Sequence, residues 1–273
     1  MTLMPSLPIG LIATDIDGTL LRDEGVISQR NLRAIRAAQK KGVVFAIASG
    51  RFPENAFVLI QDYGLSCPII GSNGARVLDE NMRDIARHPM DRDAARRVLD
   101  ILIALGADFF LFSDRSLCTS RTDLVHHSEL DYGERIPGLG FAYRRGLDAA
   151  RSMVETTVYK FYVCNNVPLD PVRRALRDVP RVELTRSGAY NLEVMPVGVN
   201  KGRGVVDLAA RLGVPMDRVM TLGDEDNDLS MIRAAGSGIA MGNATDAVKQ
   251  AAFYVTDTNQ RDGLAQAIER FAL

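Results

Sequence analysis

What this chain lacks narrows it before anything it contains. It has three cysteines, Cys67, Cys118 and Cys164, far apart, odd in number and without a CxxC pair. That argues against a disulfide framework and a cysteine-based zinc site, and it fits a reducing compartment. The opening stretch "MTLMPSLPIG" has two prolines and no basic segment, so no secretory signal is expected there. No apolar run approaches the roughly 18 residues of a membrane span; "LDILIALGADFFLF" is interrupted by Asp108. Charge of one sign is also missing. With 33 basic and 34 acidic side chains the net charge is -1, which offers no general surface to nucleic acid or to an anionic membrane. The doublets Arg96-Arg97, Arg144-Arg145 and Arg173-Arg174 read as solvated helix faces. The expectation is a soluble, cytoplasmic protein with neither a nucleic acid nor a membrane as partner.

Motifs of fixed spacing are absent as well. There is no GxxxxGK[ST], so no P-loop, and "GLIATDIDG" lacks GxGxxG, so a dinucleotide is not supported. An EF-hand loop starting at Asp15 needs glycine sixth and glutamate twelfth, but those places hold Leu20 and Val26. Starting at Asp224 they hold Leu229 and Ala235.

What is present is a globular composition, 47% hydrophobic and 25% charged over 273 residues, enough for one large domain or two ordinary ones. Short β-rich runs alternate with helical patterns, the mark of parallel strands joined by crossover helices. "GLIATD", "VVFAIAS", "CPII", "ARVLD", "RVMTLGD", "GSGIAMG" and "FYVT" read as strands. Helices are expected over 28–41 with Ser28 as N-cap, over 53–63, and from Lys201 to a close at Gly213. Further helices are expected in "LSMIRAA", "AVKQAA" and "GLAQAIERF". Residues 84–190 do not keep this alternation. They suggest helices near 91–105, 123–132 and 169–178, strands in "DFFLFS", "VYKFYV" and "VELTR", and they carry all three histidines. They read as an α+β unit inserted into an α/β, Rossmann-like core of residues 1–83 and 191–273. His126 and His127 are adjacent, so on a helix they point apart, and a solvated helix is the reading for them.

Four polar stations fall at predicted strand ends or helix starts, where open parallel sheets place their chemistry. They are Asp15 and Asp17 in "TDIDGTLL"; Ser49, Gly50 and Arg51 after "VVFAIA"; Lys201 opening its helix; and "GDEDND" at 223–228. Two carboxylates so close repel, and burying one costs several kcal/mol, roughly, unless it is paired or metal-bound. One hard cation, magnesium, suits Asp15 and Asp224, since it keeps waters and a substrate phosphate in its other positions. Alternation in an extended segment puts Asp15 and Asp17 on one side, one as nucleophile and one as acid then base. Gly18 lets the backbone bend, and Thr19 can bond locally to hold the turn. Ser49, Gly50, Lys201 and Asn227 offer donors to a phosphate, and Asp228 can orient Lys201 or a water on the metal.

In this order the stations resemble the haloacid dehalogenase superfamily: "DIDGTL", "SGR", "NKG" and "GDEDND" are similar to its four motifs. "GSNGA", "LEVMPVGVNKG", "AMGNA" and "TDTNQRDGLA" further resemble the Cof-type branch, whose large cap lies between the second and third motifs. The resemblance implies Asp15 as nucleophile, Asp17 as general acid/base, and Ser49 with Lys201 holding the phosphoryl group. It places Mg2+ on Asp15, Asp224 and the Asp17 backbone carbonyl, with Asp228 beside that set, and Arg51 and Asn73 near the substrate. The expected activity is a phosphatase acting through an aspartyl phosphate on a small phosphorylated metabolite, with a sugar phosphate as the class. The alternatives are a mutase or phosphotransferase of the same superfamily, or a non-catalytic binding protein on this fold. Lys160, Arg144 and Arg186 are candidates for the insert's specificity, each more simply read as a surface residue.

Overall fold

The computed structural model describes residues 8–186 and 191–273. Residues 1–7, most of the stretch read above for a signal, and 187–190, the end of the expected insert, lie outside the described residues. Among the described residues no helix is long and apolar enough to cross a membrane.

The chain divides into two compact units, residues up to Ala86 with Asn200–Leu273, and Arg87–Val199. The first is built on an eight-stranded sheet. Its order is Tyr254–Val255, Ser237–Ala240, Val219–Gly223, Leu11–Thr14, Val44–Ala48, Ile69–Gly71, Arg76–Leu78 and Asp84–Arg87. The first six strands are mutually parallel, and Arg76–Leu78 runs antiparallel to Ile69–Gly71. Leu11–Thr14 is fully buried, as a central strand covered on both faces must be, which is why it reads as an unbroken apolar run.

Two helices show how sequence sets the layers. Gln29–Lys40 begins where the Ser28 hydroxyl accepts the Asn31 amide, and it buries Leu32, Ala34, Ile35 and Ala38. Lys201–Leu212 begins at Asn200, whose side chain accepts from Arg203 N–H, and ends at left-handed Gly213. Its Val205, Leu208 and Ala209 pack on Leu11, Ala13, Ala46 and Ile70 of the sheet. Gly204 permits that approach, since a Cβ there would lie 2.3 Å from Ile70 Cγ2.

The second unit carries a six-stranded sheet in the order Val182–Thr185, Leu192–Pro196, Val158–Val163, Phe109–Ser113, Ser116–Thr119 and Ala142–Arg145. Its core joins Phe109, Leu111, Phe161 and Val163 of the sheet to Val98 and Leu102 of helix Arg92–Ala104. The boundary expected at residue 191 is corrected here. Leu192–Pro196 pairs antiparallel with Val158–Val163 and buries Leu192 and Val194 in this core, so the second unit runs on to Val199.

Three local expectations are also corrected. The helix expected over 123–132 starts only at His127, because His126 is its N-cap and accepts the Ser128 amide. His126 is not solvated but buried, edge-on to Phe110 at 4.7 Å between ring centroids. Lys160 is no surface residue: its ammonium lies 2.5 Å from Glu193 Oε1, with both side chains almost wholly buried, and 4.5 Å from the Phe112 ring centroid. Arg144 and Arg186 are exposed, as expected of surface residues.

Candidate active site

The register of the parallel strands brings the stations to one edge. Thr14 stands opposite Leu222 on one side and Ile47 on the other, so Asp15, Asp224 and Ser49 follow on adjacent strands. Asp15 N–H donates to Leu222 O at 3.0 Å and Ser49 N–H to Ile70 O at 2.8 Å. The ladder thus continues into the polar residues and fixes their backbone.

Lys201 lies at the centre. Its Nζ is 2.6 Å from Asp15 Oδ1 and 2.6 Å from Asp228 Oδ1, with all three side chains buried. The second oxygen of Asp228 accepts the amides of Asp224 at 2.8 Å and Glu225 at 3.1 Å. Asp224 Oδ1 accepts the Thr19 hydroxyl at 2.8 Å. Thr19 therefore does not bond locally, as expected from sequence, but ties the first motif to the fourth. Gly18 is needed twice: its φ is +74°, and a Cβ there would lie 2.2 Å from Asp224 Oδ2.

Asp15, Asp224 and Asp228 each bring a carboxylate oxygen within 4.8 Å of the others. Three buried acids against one ammonium leave an excess of negative charge. Burial lifts the Asp15 carboxyl well above the usual carboxylate range; Lys201 opposes this, while Asp228, Asp224 and Asp17 add to it. Burial likewise pushes Asp224 up to about 7, with the charge of Asp228 adding and the Thr19 hydrogen bond opposing. For Lys201 burial works against the charge, yet Asp15 and Asp228 outweigh it and hold the ammonium above its ordinary value. An all-oxygen donor set short of positive charge fits a hard divalent cation such as magnesium.

Asp17 is placed differently from Asp15. The strand ends at Thr14 and the chain turns tightly over Ile16–Leu20, with Leu21 N–H closing on Ile16 O. The Asp17 carboxylate is 60% exposed and takes both its bonds from Arg51, Nη2 to Oδ1 at 2.6 Å and Nε to Oδ2 at 2.9 Å. Simple alternation along one strand is therefore not what relates the two acids. The Asp17 carboxylate is outside the three-acid grouping; the expectation for the metal concerned its backbone carbonyl.

Ser49 is buried and its hydroxyl oxygen accepts the Arg51 amide at 3.2 Å; Gly50 lies between them, partly exposed. Asn73, at φ +53°, donates its amide to Ser49 O at 3.0 Å, and its side-chain oxygen accepts Asn227 Nδ2 at 3.3 Å. Asn227 thus joins the fourth station to the second. Sequence reasoning missed Asn243, whose Nδ2 donates to Gly18 O at 2.9 Å and approaches Asp224 Oδ2 at 3.4 Å. It stands in "AMGNA", a stretch the resemblance singled out without giving that asparagine a task.

Known proteins resemble this chain along nearly its whole length. A sequence model of the haloacid dehalogenase-like hydrolases matches residues 12–268. A 5-amino-6-(5-phospho-D-ribitylamino)uracil phosphatase of Bacillus subtilis, YcsE, is 33% identical over 97% of this chain and 96% of its own. A phosphoglycolate phosphatase of Methanobrevibacter smithii is 28% identical over 97% of this chain and 99% of its own. The crystal structure of a haloacid dehalogenase-like hydrolase from Bacteroides thetaiotaomicron superposes with a TM-score of 0.79 at 27% identity, covering 96% of this chain and 99% of that one.

Proposed function

The chain belongs to the family of haloacid dehalogenase-like hydrolases, and from that premise we propose that it is a magnesium-dependent phosphatase of a small phosphorylated metabolite. One observation carries the reading: the buried Lys201 ammonium held between Asp15 and Asp228 beside Asp224, an arrangement with too little positive charge for its acids. Asp15, Asp224 and the Asp17 backbone would hold the magnesium, with Asp228 next to them. The ion supplies charge neutralisation for the acids and an incoming phosphate together.

In the first half-reaction an Asp15 oxygen attacks phosphorus in line, the bond to the leaving oxygen breaks, and Asp17 gives that oxygen its proton. In the second, water attacks phosphorus, its proton passes to Asp17, and the bond to Asp15 breaks to release inorganic phosphate. Lys201, Ser49 and Gly50, with Asn227, offer the phosphoryl oxygens a charge and donors. Substrate choice is assigned to the second unit. A sugar phosphate is the expected class, and the phosphorylated ribityl chain in the name of the Bacillus relative, a sugar alcohol, is chemically close to it.

The test separates the two acids. With p-nitrophenyl phosphate the leaving group needs little protonation, so Asp17→Asn still lets Asp15 attack but leaves no base for hydrolysis. That variant accumulates a hydroxylamine-sensitive phosphoenzyme mapping to Asp15, and Asp15→Asn forms none. Phosphate trapped on Asp17 in the unsubstituted protein would reverse the assignment.

A further inference from the structure

Arg51 grips Asp17 through Nε and Nη2, and its remaining nitrogen is also held: Nη1 donates to Asn55 Oδ1 at 3.2 Å. Asn55 is 1% exposed, in the first turn of helix Pro53–Gln61. That turn is fixed by its first two residues. Pro53 packs on Gly71, where a Cβ would lie 2.5 Å from its ring. Glu54, buried, pairs with Arg76 at 2.9 Å. Asn55 then has one polar link in view, the bond to Arg51, while its buried Nδ2 has no partner among the described residues. Burying an amide donor unpaired is costly, so the side chain is not there for the stability of the helix.

We propose that Asn55 is a positioning residue for the reaction, fixing the plane of the Arg51 guanidinium and through it the Asp17 carboxylate. Among the described residues the Asn55 side-chain bond is to Arg51 and to none of the expected metal ligands. An arginine side chain has many rotamers to lose, and Arg51, 18% exposed, reaches out to a partner that is 60% exposed. Two bonds fix Arg51 relative to the Asp17 carboxylate. The third bond, to a side chain locked in a helix turn, ties the pair to the frame. A misplaced acid loses much of its effect because proton transfer tolerates little displacement. The inference rests on Asp17 acting as acid and base.

The experiment compares kcat/KM, which reports the first half-reaction, for p-nitrophenyl phosphate and phenyl phosphate. The two esters are alike in shape, but phenolate is the poorer leaving group and needs the proton. Asn55→Leu keeps the side-chain volume and removes the acceptor; Asn55→Asp keeps the acceptor. Asn55→Leu is expected to lower kcat/KM about tenfold for phenyl phosphate and less than about twofold for p-nitrophenyl phosphate, a selective loss of the kind acid catalysis produces. Asn55→Asp restores phenyl phosphate turnover to within about threefold, and Asn55→Leu adds nothing to the loss in Arg51→Ala, as expected of groups acting in series. Equal losses on both esters, or a loss that adds to Arg51→Ala, while Asp17→Asn keeps its selective effect, would overturn the inference alone. Asp17→Asn matching the unsubstituted protein on both esters, or no turnover of either ester by that protein, would overturn the acid/base reading and this inference with it.

Discussion

Lys201 and Asp15 meet as a buried ion pair, Nζ 2.6 Å from Oδ1, although 186 positions separate them in the chain. Removing one partner of such a pair leaves an uncompensated charge in a poorly solvated place, a loss of about 3–5 kcal/mol. Lys201→Met is therefore expected to lower unfolding stability by that order and to cut kcat by about 10²-fold or more. Urea unfolding and steady-state turnover of p-nitrophenyl phosphate measure the two. Turnover within about threefold of the unsubstituted protein would remove Lys201 from the phosphoryl site.

Chelation should abolish activity and magnesium restore it, because the buried Asp15, Asp224 and Asp228 share one ammonium, that of Lys201. Calcium should restore little, since its longer bonds and larger ligand number disturb in-line geometry. Magnesium should also raise thermal stability, by about 2.7 kcal/mol at a hundredfold excess over its Kd. Full turnover in excess chelator is the result that counts against the metal.

Gly18 and Gly25 both hold a positive φ, +74° and +76°, but only Gly18 is crowded, with Asp224 Oδ2 2.2 Å from a Cβ while Gly25 faces open space. Gly25→Ala pays only the left-handed backbone, about 1–2 kcal/mol, and keeps turnover within about twofold. Gly18→Ala adds displacement of Asp224 and should lose activity by more than about tenfold. Parallel kinetics and denaturation of the two variants decide it; equal behaviour would mean the contact with Asp224 is unimportant.

In the second unit, Lys160 and Glu193 form an ion pair with side chains 2% and 1% exposed. Lys160→Met alone takes the ammonium away from a buried carboxylate and should cost about 3–5 kcal/mol, whereas Lys160→Met with Glu193→Leu should be near neutral. Equilibrium unfolding of both variants is the measurement. A double variant as unstable as the single would show that the pair itself, rather than its desolvated remainder, sets stability.

Much of the core unit was legible because its signals are local. The Ser28 cap, the apolar run of Leu11–Thr14, the left-handed stop at Gly213 and the helical spacing of Val205, Leu208 and Ala209 each depend on neighbours a few residues away. The acidic, hydroxyl and basic stations were visible for the same reason: each sits where a strand ends or a helix begins. The second unit was less legible. The strands Ser116–Thr119 and Ala142–Arg145 are short, and Leu192–Pro196 belongs to a sheet whose other strands precede it in the chain. Its membership is set by pairing, which no local pattern records.

Sequence by itself determined which residue types reach the edge of the sheet: Asp15, Asp17, Ser49, Lys201, Asp224 and Asp228. Tertiary structure decided how they are paired. Lys201 went inward to two acids, Thr19 reached across to Asp224, and Asp17 turned outward onto Arg51, which Asn55 holds. The physical reason is that strand register and helix packing fix distances between residues far apart in the chain, and a buried charge takes whatever partner those distances allow. Spacing along the chain carries no record of that choice.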